Sequence, residues 1–184
     1  MSKSELRKNL ILKRNSLDSK EEKSTIICCE LLDSSIYKSC DKIYLYSSFG
    51  SEVDTSLLFS KALSDSKTVA FPKCLDKEGN MEFYYVSSVR DFALGAFGIK
   101  EPTTECPKAD FDSGTLCIVP GIGFSLDGHR IGYGKGYYDR FLSEFKGISV
   151  GFCFDECVIE SLPFNKFDKK VNYLITDKKI YNFT

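Results

Sequence analysis

The chain has 184 residues, enough for one domain that buries roughly 70% of the surface its unfolded form exposes. Its 25 Lys and Arg against 26 Asp and Glu leave a formal charge of −1, which excludes the general basic footprint of a nucleic-acid binder and makes any anion site local. No run approaches the about 18 apolar residues of a membrane span, and "MSKSELRKNLILKR" has no apolar core of signal-peptide length, so a cytoplasmic protein with no membrane and no nucleic-acid partner is expected.

In chain order, residues 3–14 read as a helix with Leu6, Leu10 and Ile11 on one face and Lys and Arg on the other. "NSLDSKEE" breaks it, and Asp18 with Glu21 three residues on fits a capping box for a second helix whose stripe is Ile27, Leu31 and Leu32. "KIYLYSS" (42–48) reads as a strand, and "SEVDTSLLFSKALSD" as a turn into a helix. "TVAFPKC" is a strand expected to stop near Pro72; "LDKEGN" turns the chain into a further strand, "MEFYYVS". "GAFGIKEP" is a loop, and "TLCIVPG" a continuously apolar strand of the kind buried on both faces. "GKGYYDRFLSEF" opens a helix that spaces Tyr138, Phe141, Leu142 and Phe145 for one face, before the strands "GISVGFCF" and "YLITD". This alternation predicts an α/β fold: a single-domain, three-layer α/β/α sandwich with a mostly parallel sheet and a small β-rich insertion around 68–90.

Eight cysteines show no C-x-x-C pair, and the lone His129 does not complete a Cys/His zinc set. They read as free thiols, mostly packed as small apolar residues.

The chemistry concentrates in "PGIGFSLDGHRIGYGKGYYDRFL" (120–142), which holds six glycines. The order strand, Gly-rich loop, helix places it where an open α/β sheet keeps its ligand crevice. A helix N-terminus there offers free amides and a positive dipole end to phosphate. Lys135 is placed as a mobile phosphate clamp, Arg130 adds a planar fork, and Asp139 suits Mg²⁺. Two familiar nucleotide motifs fail: a P-loop needs glycine where His129 stands and Ser or Thr where Gly136 stands. In the dinucleotide fingerprint the third glycine falls one residue early, at Gly136. On the residues alone, a Gly-rich turn with core tyrosines remains open.

The stretches "PGIGF" and "GHRIGYGKGYYD" resemble the signature of the 5-formyltetrahydrofolate cyclo-ligase family. "KSELRKNLILKR", "SEVDT", "FGIKEP" and "LPFNKFDKKVNYLIT" resemble its other segments in order, so the likeness covers nearly the whole chain. The resemblance implies an enzyme that uses ATP and Mg²⁺ to convert 5-formyltetrahydrofolate to 5,10-methenyltetrahydrofolate, with release of ADP and phosphate; a monomer is expected. It implies ATP contacts at Lys3, Ser4, Glu5, Leu6, Arg7 and Arg14, and along Arg130, Ile131, Gly132, Tyr133, Gly134, Lys135, Gly136, Tyr137 and Tyr138. Lys135 and Arg130 are the catalytic pair. Folate contacts fall at Ser47, Glu52, Tyr133, Gly134, Lys135, Gly136 and Tyr137, and metal ligands at Asp139 and Asp168.

Plainer readings stand beside these. Lys3, Arg7 and Arg14 also fit a solvated helix face, Glu52 a helix cap, Asp168 a turn, and His129 an exposed side chain. Two positions depart from the family pattern: Asn172 replaces a frequent carboxylate, and Tyr133 an often basic residue. The rival functions are another anion-binding α/β enzyme, such as a sugar-phosphate isomerase or CoA-transferase relative, and a non-catalytic nucleotide- or RNA-binding module.

Overall fold

The computed structural model describes residues 2–95 and 98–184; Ala96 and Phe97, inside the expected loop over 95–102, lie outside the described residues, as does Met1. The chain opens with helices α1 (Lys3–Asn15), α2 (Lys20–Asp33) and α3 (Ser35–Ser39). Strand β1 (Lys42–Tyr44), helix α4 (Ser56–Ser64) and strands β2 (Thr68–Cys74) and β3 (Met81–Tyr85) follow. Next come β4 (Phe92–Leu94), β5 (Lys100–Pro102), β6 (Thr115–Pro120), β7 (Gly123–Ser125), β8 (Arg130–Ile131) and helix α5 (Tyr137–Glu144). Strands β9 (Ile148–Phe152), β10 (Val158–Ile159), β11 (Tyr173–Ile175) and β12 (Ile180–Asn182) complete it.

Seven strands form one sheet in the order β12-β11-β9-β6-β1-β2-β3. Its five central strands run parallel, and antiparallel strands β12 and β3 close the two edges. The β-rich segment expected over 68–90 thus supplies β2 and β3 to this main sheet. Smaller sheets form elsewhere, from β10-β7-β8 and from β4-β5.

Period-2 alternation sends successive side chains to opposite faces. Ile43, Leu45, Leu116 and Ile118 enter a core with Ile27, Leu31, Leu58 and Phe59 of α2 and α4. Tyr44, Cys117 and Val119 enter a second core with Leu6 and Leu10 of α1, against which Phe141, Leu142 and Phe145 pack. Both faces of β6 are therefore covered, and Leu116 to Val119 are fully buried.

Several expected boundaries move. The capping box is at Ser2 and Glu5 of α1; α2 starts from Ser19 in the left-handed region with no side-chain cap, so Asp18 and Glu21 do not form one. Strand β2 runs through Pro72 to Cys74, because β1 flanks it only as far as the Tyr44–Ala70 pair. Beyond that point proline's missing N–H breaks no ladder bond toward β1. All eight cysteines are free, and Cys28, Cys40, Cys117, Cys153 and Cys157 are buried.

Candidate active site

The loops after the carboxyl ends of β1 and β6 open into a cavity of about 1010 Å³. One wall is the Gly-rich loop. Gly134 (φ +94°) and Gly136 (φ +75°) take the left-handed backbone, and Gly136 caps α5. A Cβ at Gly134 would stand 3.2 Å from an Arg7 guanidinium nitrogen. Glycine there leaves room for the Arg7 guanidinium, whose Nε donates to the Gly132 carbonyl at 2.7 Å.

Of the residues named from sequence, Lys3, Arg7, Ser47, Glu52, Arg130, Gly132, Tyr133, Gly134, Lys135, Gly136, Tyr137, Tyr138, Asp139 and Asp168 line this cavity. Ser4, Glu5, Leu6, Arg14 and Ile131 do not. Ser4 and Glu5 are exposed, while Leu6 and Ile131 are buried in the core. Arg14 is only 3% exposed: its Nε donates to Ser51 Oγ, Nη1 to the Gly121 carbonyl and Nη2 to the Tyr133 hydroxyl, all within 3.0 Å. It ties α1 to two cavity loops, far from the solvated face that helix periodicity alone permits.

The ionic groups form a chain along one side. The Lys3 Nζ donates to both Asp168 oxygens, at 2.9 and 3.0 Å. Burial alone raises the Asp168 pKa, but the Lys3 and Asn165 hydrogen bonds outweigh it and hold the carboxyl below its ordinary range. Arg130 Nη2 stands 3.1 Å from Asp139 Oδ1, yet this atom and Arg130 Nε have no well-directed hydrogen bond in the described residues. The guanidinium lies over the Tyr138 ring, 5.4 Å from its centroid. Lys135 is exposed on the loop.

The other side is more apolar. The Glu52 carboxylate accepts from the Phe49 amide at 3.1 Å; it caps its own loop and not α4. Burial pushes its pKa up, against the Phe49 amide and the Arg14 charge. The Tyr137 hydroxyl donates to the Asp76 carbonyl at 2.6 Å. Burial and the nearby Cys74, Asp76 and Glu101 push its pKa up to about 12, so it stays neutral. Burial likewise pushes the Cys74 thiol up to about 11, with Glu101 beside it; no thiolate is available there at neutral pH.

Sequence reasoning missed Arg140, whose Nη1 donates to the Lys135 carbonyl at 2.8 Å and reaches the Gly79 carbonyl at 3.5 Å. The signal was its position one turn after Gly136. Gly79 (φ +105°) admits that guanidinium where any Cβ would collide with it. His129 corrects another expectation. It is 4% exposed, stacked on Phe164 at 3.9 Å between centroids, with Nδ1 bonded to Asp127 at 2.9 Å. The aromatic lid of Phe164 comes from a segment 35 positions away, which local sequence does not reveal. Asn172 lies at the opposite ends of the strands, where its Oδ1 accepts from the Ser149 amide and hydroxyl.

Among the described residues no three His, Cys, Asp or Glu side chains gather as a metal cage. Asp139 and Asp168 nevertheless present oxygen donors to the cavity that Lys135 shares. That set suits Mg²⁺, which commonly takes one or two carboxylates and completes its shell with phosphate and water. No helix among the described residues is long and apolar enough to cross a membrane.

The family model described as the 5-formyltetrahydrofolate cyclo-ligase family matches residues 1–177. The chain is 30% identical over 178 residues to a Schizosaccharomyces pombe protein named probable 5-formyltetrahydrofolate cyclo-ligase, covering 87% of this chain and 86% of that one. Its fold superposes on the NMR structure of Aquifex aeolicus 5,10-methenyltetrahydrofolate synthetase with a TM-score of 0.87 and 36% identity, over 100% of this chain and 93% of that one. A Mycoplasma pneumoniae 5,10-methenyltetrahydrofolate synthetase shares the fold at a TM-score of 0.77 and 21% identity, over 96% and 99% of the two chains. With the Gly-rich loop, the α1 cations and the two carboxylates on one cavity, these likenesses settle the kind of enzyme this is: the chain belongs to the 5-formyltetrahydrofolate cyclo-ligase family.

Proposed function

We propose that this enzyme closes 5-formyltetrahydrofolate to 5,10-methenyltetrahydrofolate by using ATP, with Mg²⁺, to phosphorylate the formyl oxygen. A formamide carbonyl is a poor electrophile and its oxygen a poor leaving group. Transfer of the γ-phosphoryl to that oxygen breaks the bond to ADP and forms an iminium-like phosphate. Nitrogen 10 of the folate adds to the formyl carbon and gives its proton to water. The carbon–oxygen bond then breaks, and phosphate leaves with the formyl oxygen.

The observation that carries this reading is Arg130. It is a guanidinium on the cavity wall with two buried nitrogens lacking a well-directed acceptor within the protein. Asp139 balances the charge on Nη2 from 3.1 Å, but a buried donor without a well-directed acceptor still costs about 1–3 kcal/mol, and a phosphate oxygen supplies one. Lys3, Arg7 and Lys135 line the same cavity and add the charge that a triphosphate requires. Bound Mg²⁺ would be held by Asp139 and Asp168 and would neutralise phosphate charge during transfer. Lys135 stabilises charge on the transferring group, and its exposed loop position lets it follow that group. Tyr137, neutral and fixed by the Asp76 carbonyl, offers a ring for the flat pterin. Glu52 accepts N–H donors from the same ring.

A heavy-oxygen label in the formyl group tests the chemistry. The label is expected in the released phosphate. Label found in formate or bulk water instead contradicts phosphorylation of that oxygen.

A further inference from the structure

We infer that Glu101 is a second carboxylate that reads the folate, its side chain accepting a hydrogen bond from an N–H of the reduced pterin. This rests on the function proposed above.

Glu101 lies on β5, is 8% exposed, and lines the cavity. Its donors among the described residues are the Cys74 amide, 3.2 Å from Oε1, and the neutral Cys74 thiol beside it. No Lys, Arg or His among the described residues forms an ion pair with it. Lys100, its neighbour in sequence, is exposed and leaves the carboxylate alone. Neutral donors from one residue do not balance a carboxylate taken out of water. Such a group is retained where a ligand brings the missing donor.

Its surroundings set Glu101 among the residues proposed above for the folate. The Ser47 hydroxyl donates to the Lys100 carbonyl at 2.6 Å, so β5 is tied to a residue of the folate pocket. Tyr137, proposed above to meet the pterin, lines the same cavity as Glu101. Gly95 makes room for the carboxylate, since a Cβ there would stand 2.2 Å from Oε2. Pro72 and Met81 supply apolar wall nearby. A flat ring with polar N–H edges fits these surroundings; a polyanionic triphosphate does not. Glu52 and Glu101 then read the pterin's donors from two different segments, the loop after β1 and strand β5.

The test compares wild type with Glu101→Gln and Glu101→Ala. Calorimetric Kd values for 5-formyltetrahydrofolate and for MgATP are measured separately, together with melting temperature. Gln keeps the shape and an acceptor for the Cys74 amide, so a purely structural tether survives the change. Glu101→Gln is expected to weaken folate binding about tenfold or more, with MgATP affinity unchanged and a melting temperature no lower than that of wild type. Glu101→Ala should weaken folate binding at least as much. Unchanged folate affinity in Glu101→Gln overturns the inference, as does a parallel loss of stability and of affinity for both substrates. Wild type that binds no folate and makes no methenyl product overturns the proposed function itself, a different result from a wild type that binds beside an unaffected variant.

Discussion

Lys3, in the first turn of α1, clasps both carboxylate oxygens of Asp168, 165 positions later. The pair joins the first turn of α1, proposed above to contact ATP, to a carboxylate proposed above to hold Mg²⁺. Both side chains line the cavity, and neither is fully buried. A partly exposed pair of this kind is worth at most about 1 kcal/mol of stability. Its value therefore lies in placing charge. Lys3→Ala is expected to raise the KM for MgATP about tenfold and to leave the melting temperature almost unmoved. Steady-state kinetics beside a thermal melt separates this from a structural role, which would move the melt and spare KM.

Arg14 should behave in the opposite way. Its three donor groups are spent on Ser51, Gly121 and Tyr133 in a buried position. Arg14→Ala leaves the Gly121 carbonyl and the Tyr133 hydroxyl without their donor and opens a hole beneath two cavity loops. A loss of about 3 kcal/mol is expected in urea unfolding, with weaker binding of both substrates. A variant as stable as wild type would show that this clasp matters little to the fold.

Glu52 gives a pH signature. Burial raises its pKa above the ordinary 4.5, so the native state holds this proton more tightly than the unfolded chain does. Stability from this group is then greatest at low pH and is lost as pH rises from 4.5 through the raised native value. Glu52→Gln keeps an acceptor for the Phe49 amide and removes the buried charge. The variant is expected to be more stable than wild type at neutral pH, with the difference vanishing below pH 4.5. Folate affinity moves the other way: wild type should lose it as pH falls and Glu52 protonates, and Glu52→Gln should bind weakly at every pH. Melting curves and folate titrations across pH check both limbs.

Asp127 is drawn down to about 2, first by the Ser125 hydroxyl and also by His129. A depressed carboxyl contributes stability above its ordinary 3.8 and loses it as pH falls toward 2. Asp127→Asn should therefore melt lower than wild type at neutral pH, with the gap closing in acid. A gap independent of pH would mean that packing around His129 and Phe164, not ionisation, sets the effect.

What the residues revealed and what they hid follows from range. The apolar run "TLCIVPG" announced a strand covered on both faces, and β6 is one. The spacing of Phe141, Leu142 and Phe145 announced the half-buried face that α5 packs on the core. The Gly-rich loop marked the cavity because backbone amides and cations must be adjacent in sequence to be legible there. Arg14, His129, Glu101 and Arg140 were misread or passed over because part of what surrounds each, such as Ser51, Phe164, Cys74 and Gly79, comes from distant segments. A buried cation and a solvated one look alike until Ser51, Gly121 and Tyr133 are seen around it. The second capping box was a plausible local pattern, but Ser19 enters the left-handed region and starts α2 without it.

The most direct measurement is turnover of 5-formyltetrahydrofolate by purified wild type and Lys135→Ala, followed through the near-ultraviolet absorbance of the conjugated methenyl product. Wild type should produce that absorbance only with MgATP, with ADP and phosphate released in step. Lys135→Ala should fold normally and turn over about 10²-fold more slowly or worse, as loss of an electrostatic clamp at the transferring phosphoryl does. Absorbance that rises without ATP, or an undiminished rate in Lys135→Ala, would contradict phosphorylation of the formyl oxygen at this loop.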